Sequence, residues 1–354
     1  MKKKIVFTGG GTAGHVMPNI ALINRLRDEY EISYIGSKTG MEKQLIETLG
    51  IPYYGISTGK LRRYFDWKNF TDPFRVIKGY SEAKSLMKRI NPDICFSKGG
   101  FVSVPVVLAA KKRKIPAIVH ESDMTPGLAN KIAIPAATKV CCNFPETVKE
   151  LPEGKGYYTG TPIRKELFEG TKEAALKYLG FDDKLPILLV VGGSTGAKSV
   201  NEAVRSCLDE LLKSYYVVHL CGKGKADDSY NGKAGYVQIE YCDKEMKDML
   251  AAADIVISRA GANAIVELVA LRKPNILIPL SAAASRGDQI LNAKSFEKQG
   301  FSIVLQDEEV NNKTLLEAIA RLEKDKDKYI NAMAGAELGN AEELIVDLIK
   351  KTQK

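Results

Sequence analysis

Twice in this chain a short apolar run breaks on a glycine-rich turn that opens a helical pattern. The first is Ile5-Val6-Phe7, followed by Gly9-Gly10-Gly11-Thr12-Ala13-Gly14-His15. The second is Ile187-Leu188-Leu189-Val190-Val191, followed by Gly192-Gly193-Ser194-Thr195-Gly196-Ala197. A buried parallel strand that ends this way leaves backbone N–H groups converging on one point. Together with the helix dipole they favour an anion there by about 0.3–1 kcal/mol. One such loop says little. Two, each opening its own series of strands and helices, predict an α/β chain of two Rossmann-like, doubly wound parallel-sheet domains facing a central cleft.

The rest of the pattern keeps that rhythm. Strands are expected at 4–8, 31–36, 93–97, 116–120 and 138–142 in the first half. In the second half they are expected at 187–191, 216–221, 236–239, 255–258, 275–280 and 302–305. Glycine and proline interrupt the periodicity at Tyr158-Thr159-Gly160-Thr161-Pro162, so domains are expected at 1–160 and 161–340. An amphipathic helix within 341–354 is then able to pack back on the first domain. No apolar stretch approaches the ~20 residues that span a bilayer. The start Met1-Lys2-Lys3-Lys4 reads as the approach to a first strand rather than an export signal. Cys95, Cys141, Cys142, Cys207, Cys221 and Cys242 show no CxxC spacing, so reduced, half-buried thiols are expected and a structural zinc site is not.

Charge separates the halves. Residues 1–160 hold 25 Lys/Arg against 14 Asp/Glu, and residues 161–354 hold 27 against 29. The excess positive charge belongs to the first half, whose partner should be anionic and extended. Residues 60–89 sharpen this: Tyr64, Phe65, Trp67, Phe70, Phe74 and Tyr80 stand among nine Lys/Arg and three Asp/Glu. The segment is either an ordinary amphipathic helix or an interfacial patch on an anionic bilayer, which Lys111-Lys112-Arg113-Lys114 would extend. Such interleaving also suits single-stranded nucleic acid, but no nucleic-acid motif accompanies it.

Gly9, Gly11 and Gly14 satisfy the dinucleotide fingerprint G-x-G-x-x-G. A nicotinamide site would want an acidic residue at the end of the second strand, where Gly36-Ser37-Lys38 stands instead. NAD is therefore disfavoured. His15 inside the loop is placed to act as donor or base over whatever the loop holds. His120-Glu121-Ser122-Asp123 and Gly99-Gly100-Phe101 end two further strands on the same edge, where ligands of open α/β sheets bind. His120 and Glu121 form either a structural pair or a second acid/base set. In the second half, Ser194 and Thr195 add hydroxyl donors to their loop, and Arg259 can neutralise a phosphate. Glu267, alone in an apolar helix, either pairs with Arg272 or accepts the hydroxyls of a ribose. Asp288-Gln289-Ile290-Leu291-Asn292 offers amides that orient sugar hydroxyls.

Taken in order, these segments resemble a known family. GGGTAGH at 9–15, GGFVS at 99–103, HESD at 120–123, Asn130-Lys131, TGTP at 159–162, GGSTGA at 192–197, SRAGA at 258–262, Glu267 and DQILNA at 288–293 are similar to the bacterial peptidoglycan N-acetylglucosaminyltransferases, of the glycosyltransferase family 28 type. The resemblance implies a GT-B fold, with the membrane-bound acceptor on the first domain and UDP-N-acetylglucosamine on the second. It implies an inverting transfer of N-acetylglucosamine to the 4-hydroxyl of the muramyl sugar of undecaprenyl-pyrophosphoryl-MurNAc-pentapeptide, converting lipid I to lipid II.

Carried over residue by residue, the same resemblance puts His15, His120 and Glu121 at catalytic positions. It puts Thr12, Gly14, Asp123, Arg164, Ser194, Arg259, Glu267 and Gln289 on the donor, and Gly10, Gly11, Gly100, Phe101, Asn130 and Asn201 on the acceptor. Phe65, Trp67, Phe70 and Phe74 would form the membrane patch. No cofactor and no metal is expected, and no nucleic acid. The partners are the two substrates, an anionic surface at the cytoplasmic face of the cell membrane, and other cell-wall synthesis proteins. Ala13, Phe101 and Asp123 depart from the glycine, tyrosine and asparagine frequent in the family, and Ala282-Ala283-Ala284 is unusual before a ligand-facing segment. Rival readings that share parts of the pattern are a glycolipid glycosyltransferase, a UDP-sugar epimerase, and a polyanion-binding protein without activity.

Overall fold

Strands that are apolar on both faces need cover on both, and helices between successive parallel strands supply it. The computed structural model describes residues 2–59, 68–193, 196–242, 244–283, 287–336 and 340–354, leaving aside the side chains of residues 13 and 68–74. The chain divides into two units, Met1–Ile163 with Gly339–Lys354, and Arg164–Leu338.

Unit 1 runs β1 (Lys3–Thr8), α1 (Ala13–Leu26), β2 (Tyr30–Ser37), α2 (Met41–Glu47), β3 (Tyr53–Ile56), α3 (Lys68–Ile90), β4 (Ile94–Ser97), α4 (Ser103–Lys112), β5 (Ala117–Glu121), α5 (Leu128–Ala133), β6 (Lys139–Cys142), α6 (Pro145–Lys149) and β7 (Gly156–Tyr158). Its sheet is parallel throughout, in the order β3-β2-β1-β4-β5-β6-β7. The two-residue period of the strands sorts the core into two layers. Ile5, Phe7, Ile94 and Phe96 face α1, while Val6, Cys95, Val119 and Val140 face α3 and α4.

Unit 2 runs α7 (Lys172–Leu179), β8 (Ile187–Val191), α8 (Lys198–Ser206), α9 (Leu208–Leu211), β9 (Tyr216–Leu220), β10 (Tyr236–Ile239), α10 (Met246–Ala252), β11 (Ala253–Ser258), α11 (Ala262–Ala270), β12 (Asn275–Leu277), α12 (Asp288–Lys298), β13 (Ile303–Val304), α13 (Asn312–Lys324) and α14 (Lys326–Ala334). Its sheet is again parallel, in the order β10-β9-β8-β11-β12-β13. In both sheets the strand before a glycine loop is flanked on each side by a later strand, so the strand order reverses there. These are the switch points at which open α/β sheets leave a crevice.

The expected strands are present, most with ends shifted by one or two residues. The one expected to reach 280 stops at Leu277, two residues before Pro279, which has no N–H for a ladder. β3 and β7 were not expected: both are sheet edges of three or four residues that include a glycine, too short for a periodic signal. The thiols also differ from expectation. Cys95, Cys141, Cys142, Cys207 and Cys221 are free and buried rather than half-buried, with Cys242 alone half-buried as expected, and burial pushes Cys95 and Cys141 up to about 12. They are inert core residues.

The last helix, α15 (Ala341–Thr352), buries Ile345, Val346, Leu348 and Ile349 in the core layer that holds β1 and α1. Polar contacts at its end fix the register: Lys350 pairs with Glu29 at 2.6 Å, and the Tyr30 hydroxyl donates to Gln353 Oε1 at 2.7 Å. The apolar contacts dominate, at roughly 1.5–3 kcal/mol per buried side chain, whereas exposed ion pairs contribute little. Ile349→Ala should therefore destabilise unit 1 by about 2–5 kcal/mol. Calorimetry reads this directly, and an unmoved transition would show that α15 adds nothing to that core.

Candidate functional site

At the switch point of unit 1, the loops after β1 and β4 touch. Gly100 has φ +85°, and a Cβ on it would lie 2.4 Å from the Gly10 carbonyl oxygen, so only glycine lets the two turns meet. A Cβ on the adjoining Gly99 would lie 3.6 Å from the His15 ring and 3.4 Å from the Asn130 amide. The glycine thus leaves a space flanked by His15 and Asn130. His15 sits in the first turn of α1, with Nδ1 3.1 Å from the Gly10 carbonyl and 3.1 Å from Thr12 Oγ1. A carbonyl can only accept, so Nδ1 carries the proton and Nε2 keeps its lone pair. Burial, reinforced by the nearby Lys98 charge, lowers the pKa to about 4, against the opposing pull of the Gly10 hydrogen bond and the Glu42 charge. The imidazole is neutral at pH 7.

His120 is a different kind of histidine. It is fully buried on β5, its Nε2 donates to the Gly160 carbonyl at 2.8 Å, and its Nδ1 accepts from Lys98 Nζ at 3.1 Å. Both nitrogens therefore have partners inside the protein. Glu121 is also buried, accepting from the Asp123 and Gly127 amides at 2.9 and 3.1 Å and from Asn130 Nδ2 at 2.8 Å. Burial raises its pKa to about 7 while those three donors favour the ionised form. These contacts tie the turn after β5 to α5.

Sequence reasoning missed two residues here. Lys98 follows β4 directly and is 1% exposed, its ammonium bonded to His120 Nδ1 and Ser122 Oγ. Burial lowers its pKa to about 8, while the Glu121 and Asp123 charges hold it up. Glu42, near the start of α2, is fully buried and accepts from the Gly11 amide at 3.2 Å and from Ser37 N and Oγ at 3.0 and 2.6 Å. The acid absent from the end of β2 thus arrives from the next helix, and its carboxylate enters the first glycine loop. This corrects the view of that loop as an open phosphate trap, because the Gly11 N–H already holds an anion from within the chain.

At the switch point of unit 2, Gly196 has φ +72°, and a Cβ on it would lie 2.2 Å from the Cys221 carbonyl. Ser194 and Thr195 lie outside the described residues, as do Phe65 and Trp67, and the side chains of Phe70 and Phe74 are likewise not described. Glu267 on α11 is partly exposed; burial raises its pKa, and the Arg164 charge opposes the rise. The cation near it is therefore Arg164. Arg272, the alternative partner, lies exposed just past the end of α11. Gln289, in the first turn of α12, accepts from the Leu280 amide at 3.0 Å through Oε1, which directs its NH₂ elsewhere.

Two expectations for unit 2 change. Arg259 is not an uncommitted cation: Nη1 lies 2.7 Å from Asp307 Oδ1 and Nη2 lies 3.1 Å from Ser199 Oγ, with the pair only 13% and 15% exposed. It fastens β11 and the start of α8 to the segment after β13. Asn201, expected on the acceptor, is 3% exposed inside unit 2. Its Nδ2 donates to the Cys221 carbonyl at 2.9 Å and its Oδ1 accepts from His219 Nε2 at 3.0 Å, so it supports the second loop from beneath. Among the described residues, no three His, Cys, Asp or Glu side chains are grouped to hold a metal ion.

Comparison with known proteins gives the same answer along the whole chain. Residues 5–142 match the glycosyltransferase family 28 N-terminal domain, and residues 187–349 match the glycosyltransferase family 28 C-terminal domain. The chain is 64% identical over 352 residues to a protein of Lachnoclostridium phytofermentans, covering 99% of each. It is 64% identical over 353 residues to one of Lachnospira eligens, covering 99% of this chain and all of the relative. Both bear the name UDP-N-acetylglucosamine–N-acetylmuramyl-(pentapeptide) pyrophosphoryl-undecaprenol N-acetylglucosamine transferase. Among solved structures, MurG of Acinetobacter baumannii is similar at TM-score 0.79 and 27% identity, with 99% of each chain covered.

The Arg259–Asp307 pair generates its own test. Arg259→Met leaves a carboxylate largely buried without its cation and should cost about 3–5 kcal/mol of unit 2 stability. Arg259→Met/Asp307→Leu should recover most of that in denaturant unfolding. Equal losses in the single and double variants would mean that the stranded carboxylate is not what costs the stability.

Proposed function

The chain belongs to glycosyltransferase family 28, and from that premise we propose that it moves N-acetylglucosamine from UDP-N-acetylglucosamine to the 4-hydroxyl of the muramyl sugar of undecaprenyl-pyrophosphoryl-MurNAc-pentapeptide, with inversion. The observation that carries the mechanism is His15: a neutral imidazole with a free Nε2 lone pair beside the space above Gly99. The acceptor lies on unit 1 against Gly99, Gly100 and Asn130. Nε2 takes the proton of the 4-hydroxyl as its oxygen bonds to C1 of the donor sugar. The C1–oxygen bond to UDP breaks on the opposite face, and UDP leaves with the electron pair. Arg164, Ser194 and the second glycine loop stabilise the charge that develops on the diphosphate, while Glu267 holds the ribose and Gln289 the sugar. Protein groups supply that neutralisation, so excess chelator should leave turnover intact.

Membrane association follows from the charge of the first half. The exposed side of α3 carries Arg75, Lys78 and Lys84 around Ile77, which is 66% exposed. Each basic residue near an anionic surface contributes about 1 kcal/mol, and Ile77 adds an apolar anchor. This side of α3 seats the protein on the cytoplasmic leaflet that carries its acceptor. Lys111 and Lys112 end α4, and Arg113 and Lys114 follow it directly, so they could extend this basic surface.

His15→Ala should lower kcat by about 10²–10⁴-fold with UDP affinity preserved, and undiminished turnover would take His15 out of the chemistry. Because its pKa is held near 4, activity should persist as pH falls through 6.5 and decline only as the imidazole protonates lower down. An acid limb of kcat/KM at 6.5 would contradict this. For the membrane, Arg75→Glu/Lys78→Glu should weaken sedimentation with phosphatidylglycerol vesicles by at least tenfold, since two lost cations remove about 2 kcal/mol. Equal binding of wild type and variant would sink that surface.

A further inference from the structure

The carbonyl of Gly10 and the N–H of Gly11 belong to one peptide group. Its oxygen accepts from His15 Nδ1 at 3.1 Å, and its N–H donates to Glu42 Oε2 at 3.2 Å. The other carboxylate oxygen, Oε1, accepts from Ser37 N at 3.0 Å and Ser37 Oγ at 2.6 Å. Glu42 has no exposed surface. Glycines make the arrangement possible on every side. A Cβ on Gly10 would lie 2.5 Å from the Glu42 carboxyl carbon, one on Gly40 would lie 2.2 Å from its Oε2, and one on Gly100 would lie 2.4 Å from the Gly10 oxygen. The carboxylate, the peptide and the imidazole form one hydrogen-bonded line.

We propose that Glu42 orients His15 through the Gly10–Gly11 peptide, holding the proton on Nδ1 and leaving Nε2 as the nitrogen with the lone pair. An amide whose N–H is bonded to an anion is a stronger acceptor at its oxygen, by about 10–30% per bond in a linked chain. The anchored peptide plane also cannot turn its carbonyl away from the ring. Thr12 Oγ1 is equally close to Nδ1, but a hydroxyl can donate or accept, whereas the carbonyl can only accept, so the peptide decides where the proton sits. Other titratable groups face His15. Lys98 after β4 disfavours a charged ring, as does His120 on β5 in its protonated form, whereas Glu42 favours one. Glu42 touches no substrate and is a positioning residue. Its effect on rate rests on the reading of His15 as the base; its effect on the ring does not.

The experiment is nitrogen-15 NMR of the full-length protein labelled at histidine, with each of the three histidines assigned by substitution. Wild type should show His15 as the Nδ1–H form across pH 6–8. An Nε2–H ring would overturn the proposal without any variant, which covers the case in which a variant does not fold. Glu42→Gln keeps the volume, but its NH₂ must face a donor, either Gly11 N–H or Ser37. In a folded variant, confirmed by circular dichroism, the tautomer should shift toward Nε2–H. Turnover should fall by about 10- to 100-fold, with the donor KM within twofold of wild type. An unchanged tautomer overturns the proposal. A shifted tautomer with unchanged turnover upholds the orienting role and removes His15 as the base.

Discussion

In both units the strand order of a parallel sheet reverses beside a glycine loop, and the arrangement of polar groups follows from that. At the reversal, adjacent strands send their connections to opposite faces, so two strand ends lie side by side with no helix capping the gap. β1 and β4 meet this way in unit 1, and β8 and β11 in unit 2. Their ends carry the Gly9–Gly11 and Gly99–Gly100 turns in one case, and the Gly192–Gly193 and Arg259–Gly261 segments in the other. Backbone groups exposed at such an edge must find partners. In unit 1 the chain supplies some of them, through Glu42 on Gly11 and His15 on Gly10.

Polar groups of this kind are expensive to bury and are tolerated when bonded on all sides. Lys98 places an ammonium in the interior of unit 1, where burial penalises its charge and the bonds to His120 and Ser122 offset part of that cost. Burial keeps His15 unprotonated, and the same lysine reinforces it by disfavouring a second positive charge nearby. A buried cation that looks structural thereby bears on the chemistry. In unit 2, Arg259 and Asp307 do the equivalent mechanical work between β11 and the segment after β13.

The legible parts were those written locally. Glycines soon after an apolar run announce a strand, a turn and a helix within about fifteen residues, and the loops with His15 and Gly99–Gly100 are legible that way; His120–Glu121 is legible only as the polar end of an apolar run. Lys98 was visible as a residue but carried no signal, because a lysine beside a turn is ordinarily solvated and its partner His120 is 22 positions away. Glu42 reaches Gly11 across 31 positions, and Arg259 reaches Asp307 across 48. The internal partners of Asn201 and His120 were illegible for the complementary reason. Polar residues near a loop look available until packing shows that their hydrogen bonds are already made.

The sequence by itself determined the parallel α/β class, the two glycine loops, the asymmetry of charge and, through ordered motifs, the family. Each of these follows from residue type and short spacing, which survive without coordinates. Tertiary structure decided which polar groups remain available for chemistry. His15 keeps a lone pair because a carboxylate from another helix holds its neighbouring peptide, whereas His120, Arg259 and Asn201 are consumed by the fold. Hydrogen-bond satisfaction is a property of three-dimensional neighbours, and those neighbours come from separate strands and helices brought to one sheet edge.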